Sequence, residues 1–314
     1  MGEVLQKAVF AQLLTAVLAA HTPQVKPDDG ASISVNVSRV VLYVTVREGK
    51  TGYVGDLTKD NFVIKEDGKL QEIRQFSRDD VPVAIGLVVD NSQSMLNKRD
   101  DVIAAGKAFV RASNPSDEMF VVHFNEKITF GLPTNRMFSS NREELERALD
   151  LTSLQGHTAL YDAIQVALDH LKKSKLTKRA LFVLSDGGDN HSASKMKDVV
   201  KAADLSGALF YAIGIYDAMD GDANPGALRK LAQATGGEAF FPKGLEEMSV
   251  LCESIARDLR NQYTLVYAPP DRANDSAYHR VDVSAKDPQR RKLKVTSRSG
   301  YYGSATQAGG DGQK

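Results

Sequence analysis

The chain has 314 residues, enough for two cores, because single hydrophobic cores stop growing at roughly 250–300 residues. Its 40 Lys and Arg balance its 40 Asp and Glu. The basic runs, Lys172-Lys173 and Arg290 to Lys294, are short and far apart, which argues against the concentrated positive footprint that nucleic acid demands. The single cysteine, Cys252, excludes an internal disulfide. It shares a helical stripe with Leu245, Met248, Ile255 and Leu259 and is expected to be a small buried apolar residue.

In chain order, KAVFAQLLTAVLAAHTP comes first. Lys7, about thirteen mostly apolar residues and the small pair Ala19-Ala20 resemble a signal peptide too short to span a bilayer. Residues 1–20 are therefore expected to be a leader and the chain to be exported, to the periplasm, the envelope or the medium. Glu3 and Gln12 leave a cytoplasmic amphipathic helix as the alternative. No other segment approaches transmembrane length, so no span is expected in the mature chain. After the polar KPDDGAS link, Val40, Leu42, Val44 and Val46 alternate with Val41, Tyr43, Thr45 and Arg47. This is a β-branched strand pattern with a turn at Gly49 to Gly52. NFVIKEDGKLQEIRQF then offers two short strands about Asp67-Gly68, a pair suited to a hairpin turn.

From Val81 the pattern changes. VAIGLVVD, MFVVHFN, RALFVLSD and ALFYAIGIY are apolar at nearly every position, as strands covered on both faces must be. Between them lie DDVIAAGKAFVRAS, REELERALDL, ALYDAIQVALDHLKK and MKDVVKAADL, with helical period. The expected fold is α/β with a doubly wound, mostly parallel sheet over residues 81–261, closed by a helix from Leu245 to Asn261. QYTLVYAPP, YHRVDVSA and RKLKVTS return to strand character without intervening helices. They are expected to pair with residues 31–78, so that residues 31–78 and 262–302 form a small split β-sandwich holding the α/β domain as an insertion. Residues 303–314 read as a disordered tail.

Ligands bind open α/β sheets beyond the carboxyl ends of the strands. Asp90 and Asp186 each terminate such a strand, and Ser92 and Ser94 follow Asp90 at alternate positions. If the loop stays extended, Asp90, Ser92 and Ser94 face one side. Thr158, in GHTALYDAI, adds a hydroxyl before a strong helix; helix capping is the competing role for Ser94 and Thr158. Oxygen ligands without nitrogen or sulfur suit a hard cation, Mg2+ first, with Mn2+ or Ca2+ as substitutes.

Asp90-x-Ser92-x-Ser94, Thr158 and the Asp186-Gly187 of LSDGGDN together resemble the metal-ion-dependent adhesion site of von Willebrand factor A domains. The flanks YVGDLTKDNFVIKEDGK, YTLVYAPP and SRSGYYG resemble those of bacterial proteins related to that family. The resemblance implies that Asp90, Ser92 and Ser94 hold the ion, that Thr158 and Asp186 ligate it directly or through water, and that an Asp or Glu of a partner protein fills the open position. It also implies that movement of the closing helix accompanies a change at the metal. His157 stands where glycine is common and is expected to be structural. On this reading the chain is a binding and adhesion module and not an enzyme; its partner and oligomeric state are not encoded in any motif. The alternatives are a metal-assisted hydrolase or phosphatase, with Asp189 or His157 as base, and a structural module with a vestigial site. Asp162 and Asp169 read as a polar helix face, with support of the site loop as the lesser alternative for Asp162, His123 as a satisfied core or edge residue, and Tyr301-Tyr302 as a packing anchor.

Overall fold

The computed structural model describes residues 39–49, 52–150, 156–215, 221–269, 277–289 and 291–303. The expected leader, residues 31–38 of the expected amino-terminal flank and nearly all of the expected tail lie outside them. The amino-terminal flank supplies β1 (Val40–Glu48), β2 (Gly52–Tyr53), β3 (Phe62–Glu66), β4 (Lys69–Gln71) and β5 (Ile73–Ser77). The central part runs β6 (Val83–Asp90), α1 (Arg99–Ala112), β7 (Glu118–Phe124), β8 (Ile128–Phe130), α2 (Arg142–Asp150), α3 (Leu160–Leu171) and β9 (Lys178–Ser185). It continues α4 (Met196–Ser206), β10 (Leu209–Gly214), α5 (Pro225–Thr235), β11 (Ala239–Phe240) and α6 (Leu245–Asn261). The carboxyl flank adds β12 (Tyr263–Tyr267), β13 (Tyr278–Ala285), β14 (Leu293–Thr296) and β15 (Gly300–Tyr302).

The central sheet has the order β11-β10-β9-β6-β7-β8. All its pairings are parallel except β7 with β8. β6 is buried at every position, which is why its sequence shows no alternation: both faces are covered by helices. Two helix groups provide that cover, α1 packing on α2 and α6, and α4 packing on α3 and α5. Edge strand β8 and helix α5 have no counterpart in the segments named above; β8 is too short and exposed to leave a period, whereas α5 carries ordinary end signals.

The flanks form two further sheets, β14-β1-β12-β5 with β2 on β1, and β15-β13-β3-β4. β1 pairs antiparallel with β12, Leu42 opposite Leu265, and β3 pairs with β13, Ile64 opposite Val283. Both sheets feed one hydrophobic cluster, separate from that of the central part, built on Val40, Leu42, Val44, Val46, Ile64 and Leu265.

The other face of β1 explains why Thr45 and Arg47 are also buried. Tyr43 packs on the central cluster, Gln262 Nε2 donates to Thr45 Oγ1 at 3.2 Å, and the Arg47 guanidinium pairs with Asp258 of α6 and with Glu238. The adjoining end of α6 is held twice more. Tyr53 Oη donates to the Asn261 carbonyl, and the buried Lys178 ammonium, 5.0 Å from the Tyr43 ring centroid, donates to the Leu259 carbonyl. A cation at a helix carboxyl terminus is favoured by the orphan carbonyls and the helix dipole. Burial nevertheless pushes the Lys178 ammonium down to about 8. Cys252 is fully buried with Met248 and Ile255, as its stripe predicts. Among the described residues, no helix is long and apolar enough to cross a membrane.

Removing one partner of a buried ion pair leaves an uncompensated charge. Arg47→Ala strands Asp258, which is 4% exposed, and is expected to cost about 3–5 kcal/mol in urea unfolding. A loss below about 1 kcal/mol would show that this polar contact between β1 and α6 contributes little to stability.

Candidate metal site

The parallel register of β6 and β9 sets Val89 opposite Leu184, so the two strands end at nearly one level, with Asp90 closing β6 and Asp186 one residue past the end of β9. Asp90 and Asp186 are each 1% exposed. A chain of short hydrogen bonds joins them: Ser92 Oγ donates to Asp90 Oδ1 at 2.6 Å, the Ser92 and Ser94 hydroxyls lie 3.2 Å apart, and Ser94 Oγ donates to Asp186 Oδ2 at 2.6 Å. Backbone amides add to this, Ser92 N to Asp90 Oδ1 at 2.9 Å and Gly188 N to Asp186 Oδ1 at 2.8 Å. Four of the five candidate residues are therefore gathered around one point.

The route differs from the expected extended loop. Ser92 is extended, but Gln93–Lys98 coil into a 3-10 helix, with Met95 N donating to the Ser92 carbonyl at 3.0 Å. Ser94 meets Ser92 through that coil rather than through strand alternation. Gly187 makes the turn after Asp186 at φ 82°, a conformation open to glycine, and a Cβ there would strike the Asn224 carbonyl.

Thr158 sits on the neighbouring loop, 6% exposed. Its amide donates to Asn190 Oδ1 at 2.9 Å, and its carbonyl accepts from Asn190 N and His191 N at 3.0 Å each. The same loop touches the Ser92 turn, where Gln93 N donates to the Gly156 carbonyl at 3.3 Å. Among the described residues, no hydrogen bond joins the Thr158 hydroxyl to the other four. Nor does it cap α3: the first amides of that helix are taken by Asp189 Oδ1, from Tyr161 N at 3.1 Å, and by Ser192 Oγ, from Asp162 N at 3.1 Å. Capping, the competing role for Thr158, is thus filled from the loop after Asp186.

Several contributors escape a reading by motif. Ser185 Oγ donates to Asp90 Oδ2 at 2.6 Å, a contact that depends on register between two strands distant in sequence. Asp162 accepts from Ala193 N and Ser194 N at 2.9 Å each, so it braces the loop after Asp186, the lesser of the two roles expected for it. His157 is exposed and lies parallel to His191, ring centroids 5.5 Å apart. His123 is buried as expected.

The electrostatics are one-sided. Burial, reinforced by the Asp186 carboxylate, pushes the Asp90 carboxyl up to about 7 against the hydrogen bonds from Ser185 and Ser92. Among the described residues no Lys or Arg pairs with either acid. Two buried carboxylates ringed by hydroxyls, without a basic counter-charge, form a donor set that fits a hard divalent cation. A second group of potential ligands lies in the flanks, where atoms of Glu66, Asp67 and His279 fall within 4.8 Å of one another. There the Tyr267 and Tyr301 hydroxyls both donate to Glu66 Oε2, and His279 Nδ1 is 3.0 Å from Asp67 Oδ2, an arrangement that ties the two flanking sheets together.

Comparison with known proteins agrees with this architecture. A protein of Borreliella burgdorferi described as uncharacterized is 24% identical over 221 residues, 69% of this chain and 59% of its own length; the chain thus spans less than two thirds of that relative. Among solved structures, a von Willebrand factor type A protein from Catenulispora acidiphila superposes with a TM-score of 0.51 at 14% identity, over 84% of this chain and 75% of its own. Proximal thread matrix protein 1 from the mussel byssus, with zinc in its metal-ion-dependent adhesion site, gives 0.51 at 17% identity, over 62% of this chain and 50% of its own. At such identities these structures speak for the fold alone. The family model of the von Willebrand factor type A domain matches residues 84–251, more than half of the chain and the same stretch that builds the central sheet and its helices, so the chain belongs to the von Willebrand factor type A domain family.

Proposed function

We propose that the chain is a metal-dependent protein-binding module whose site is a metal-ion-dependent adhesion site. The observation that supports it is the pair of buried carboxylates, Asp90 and Asp186, linked through Ser92 and Ser94 and lacking a basic partner among the described residues. In this reading Asp90, Ser92 and Ser94 hold the ion, and Thr158 and Asp186 complete its shell directly or through water. Mg2+ suits the all-oxygen set, and Mn2+ or Ca2+ could replace it. The bound ion supplies a positive centre with an open position, to which an Asp or Glu side chain of a partner protein can bind.

The charge balance makes that open position useful. With both carboxylates in direct contact a divalent ion is neutralised; with Asp186 behind a water, about one positive charge remains to attract an external acid. The hydrolase alternative gains nothing from the geometry: Asp189, a candidate base, accepts from Tyr161 N and from Ser192 Oγ at 2.5 Å, which keeps its carboxylate on the helix amide. The flanks, 31–78 with 262–302, act in this reading as one split domain that carries the module. In this reading the leader-like segment 1–20 would direct the module out of the cytoplasm.

Two measurements test the reading. Between an unfolded carboxyl's ordinary value of 3.8 and the folded value of about 7, the folded chain holds a proton that the unfolded chain has released. In chelator, stability therefore falls as pH rises through that window and levels off above it. The loss is expected to be on the order of a few kcal/mol, absent in Asp90→Asn, and reversed by Mg2+ at pH 8 but much less at pH 5, where protons compete with the ion. Urea unfolding across pH 4.5–8 reads this directly, and identical pH profiles for the two proteins would refute the strained carboxylate. For partner binding, affinity capture compares wild type with Asp90→Ala, each with Mg2+ and with chelator. Only wild type with Mg2+ is expected to retain partners; equal capture in all four conditions would defeat the adhesion reading, and turnover of generic esters or phosphates would revive the hydrolase.

A further inference from the structure

Strand β7 is apolar along most of its length, yet carries His123 near its end, 4% exposed. A buried imidazole costs free energy unless both nitrogens are partnered, and an apolar residue would fill the same space without that cost. Both nitrogens are in use. Nε2 lies 2.7 Å from the carbonyl of Ala148 in the last turn of α2, and Nδ1 lies 3.0 Å from Asn91 Nδ2. A carbonyl can only accept and an amide nitrogen can only donate. One neutral tautomer satisfies both contacts, with the proton on Nε2 and the lone pair on Nδ1.

Asn91 stands between Asp90 and Ser92 and is itself 4% exposed. Its backbone amide donates to the Phe124 carbonyl at 2.7 Å, and the next carbonyl along, Asn125, accepts from Ala159 N at 2.9 Å, one residue past Thr158. The end of β7 thus touches both loops that carry candidate ligands. The Asn91 side chain is gripped by an imidazole braced against a different helix.

We infer that His123 is a positioning residue for the cation: by holding the Asn91 amide against the end of β7, it fixes the turn that aims Asp90 and Ser92 at one point. This rests on the cation reading of the site. Ligands whose supporting hydrogen bonds are removed keep their chemistry but lose their pre-set geometry, and metal affinity falls by about 10- to 100-fold in such cases.

The test separates the two bonds of the imidazole. In His123→Asn the side-chain carbonyl can stand near the place of Nδ1 and accept from Asn91, but nothing reaches Ala148. In His123→Gln the longer side chain can donate to the Ala148 carbonyl, but the acceptor facing Asn91 is gone. Mg2+ titration by calorimetry at a fixed pH of about 7.5, with thermal unfolding in chelator, is run on wild type, both His123 variants, Asn91→Ala and Asp90→Ala. Both His123 variants are expected to unfold at lower temperature than wild type. Affinity for Mg2+ is expected to drop at least about tenfold in His123→Gln and Asn91→Ala, while His123→Asn stays within about threefold of wild type. Equal affinities in His123→Gln and wild type, or equal losses in both His123 variants, would overturn the inference and leave the cation reading intact. Should His123→Gln not fold, an unchanged affinity in Asn91→Ala has the same force. Absence of Mg2+ binding in wild type would remove the cation reading itself, and this inference with it.

Discussion

The structure turns on two carboxylates that share a buried corner. Asp90 closes β6 and Asp186 directly follows the neighbouring parallel strand β9, and like charges in a poorly solvated place repel strongly. Hydroxyls and amides spread that charge without cancelling it: Ser92 and Ser185 serve Asp90, and Ser94 and the Gly188 amide serve Asp186. The loops around them are shaped to the same end. The 3-10 coil after Ser92 brings Ser94 across to Asp186, and the loop after Asp186 returns to cap α3 through Asp189 and Ser192. Because that loop supplies the caps, the Thr158 hydroxyl is released from a task its position would otherwise invite.

A second constraint lies at the carboxyl end of α6. That helix runs directly into β12, which pairs with β1, and β1 reaches back to α6 through Arg47 and Asp258. Lys178 and Tyr53 hold the last carbonyls of the helix from two further directions. A shift of α6 relative to the central sheet therefore has to break the Lys178 contact, and a shift relative to the flank has to break the Arg47 contact. Buried polar groups left without partners are costly, so both contacts oppose such a motion.

Much of the architecture is legible because burial leaves a local record. VAIGLVVD lacks alternation since both faces of β6 are covered, and Val40, Leu42, Val44 and Val46 alternate since one face of β1 meets the flank cluster. Helix α5 carries equally local signals: Asn224 accepts from Ala227 N as its N-cap, Pro225 occupies its first turn, and Gly236 ends it at φ 83°, the ordinary asymmetry of helix ends. Strand β8 left no such record, being three residues long and half exposed at the sheet edge.

What the sequence by itself determined is most of the strands and helices of the central sheet, and that Asp90 closes one strand while Asp186 directly follows another, because periodicity and the ends of elements are properties of neighbouring residues. What only the tertiary structure decided is who touches whom across those segments. Ser185 against Asp90, His123 against Asn91, Asp162 against the Ser194 amide and Arg47 against Asp258 each join residues from 32 to 211 positions apart. A hydrogen bond needs its atoms placed to within a few tenths of an ångström, and that placement comes from strand register and helix packing, which the spacing of residues along one segment does not contain.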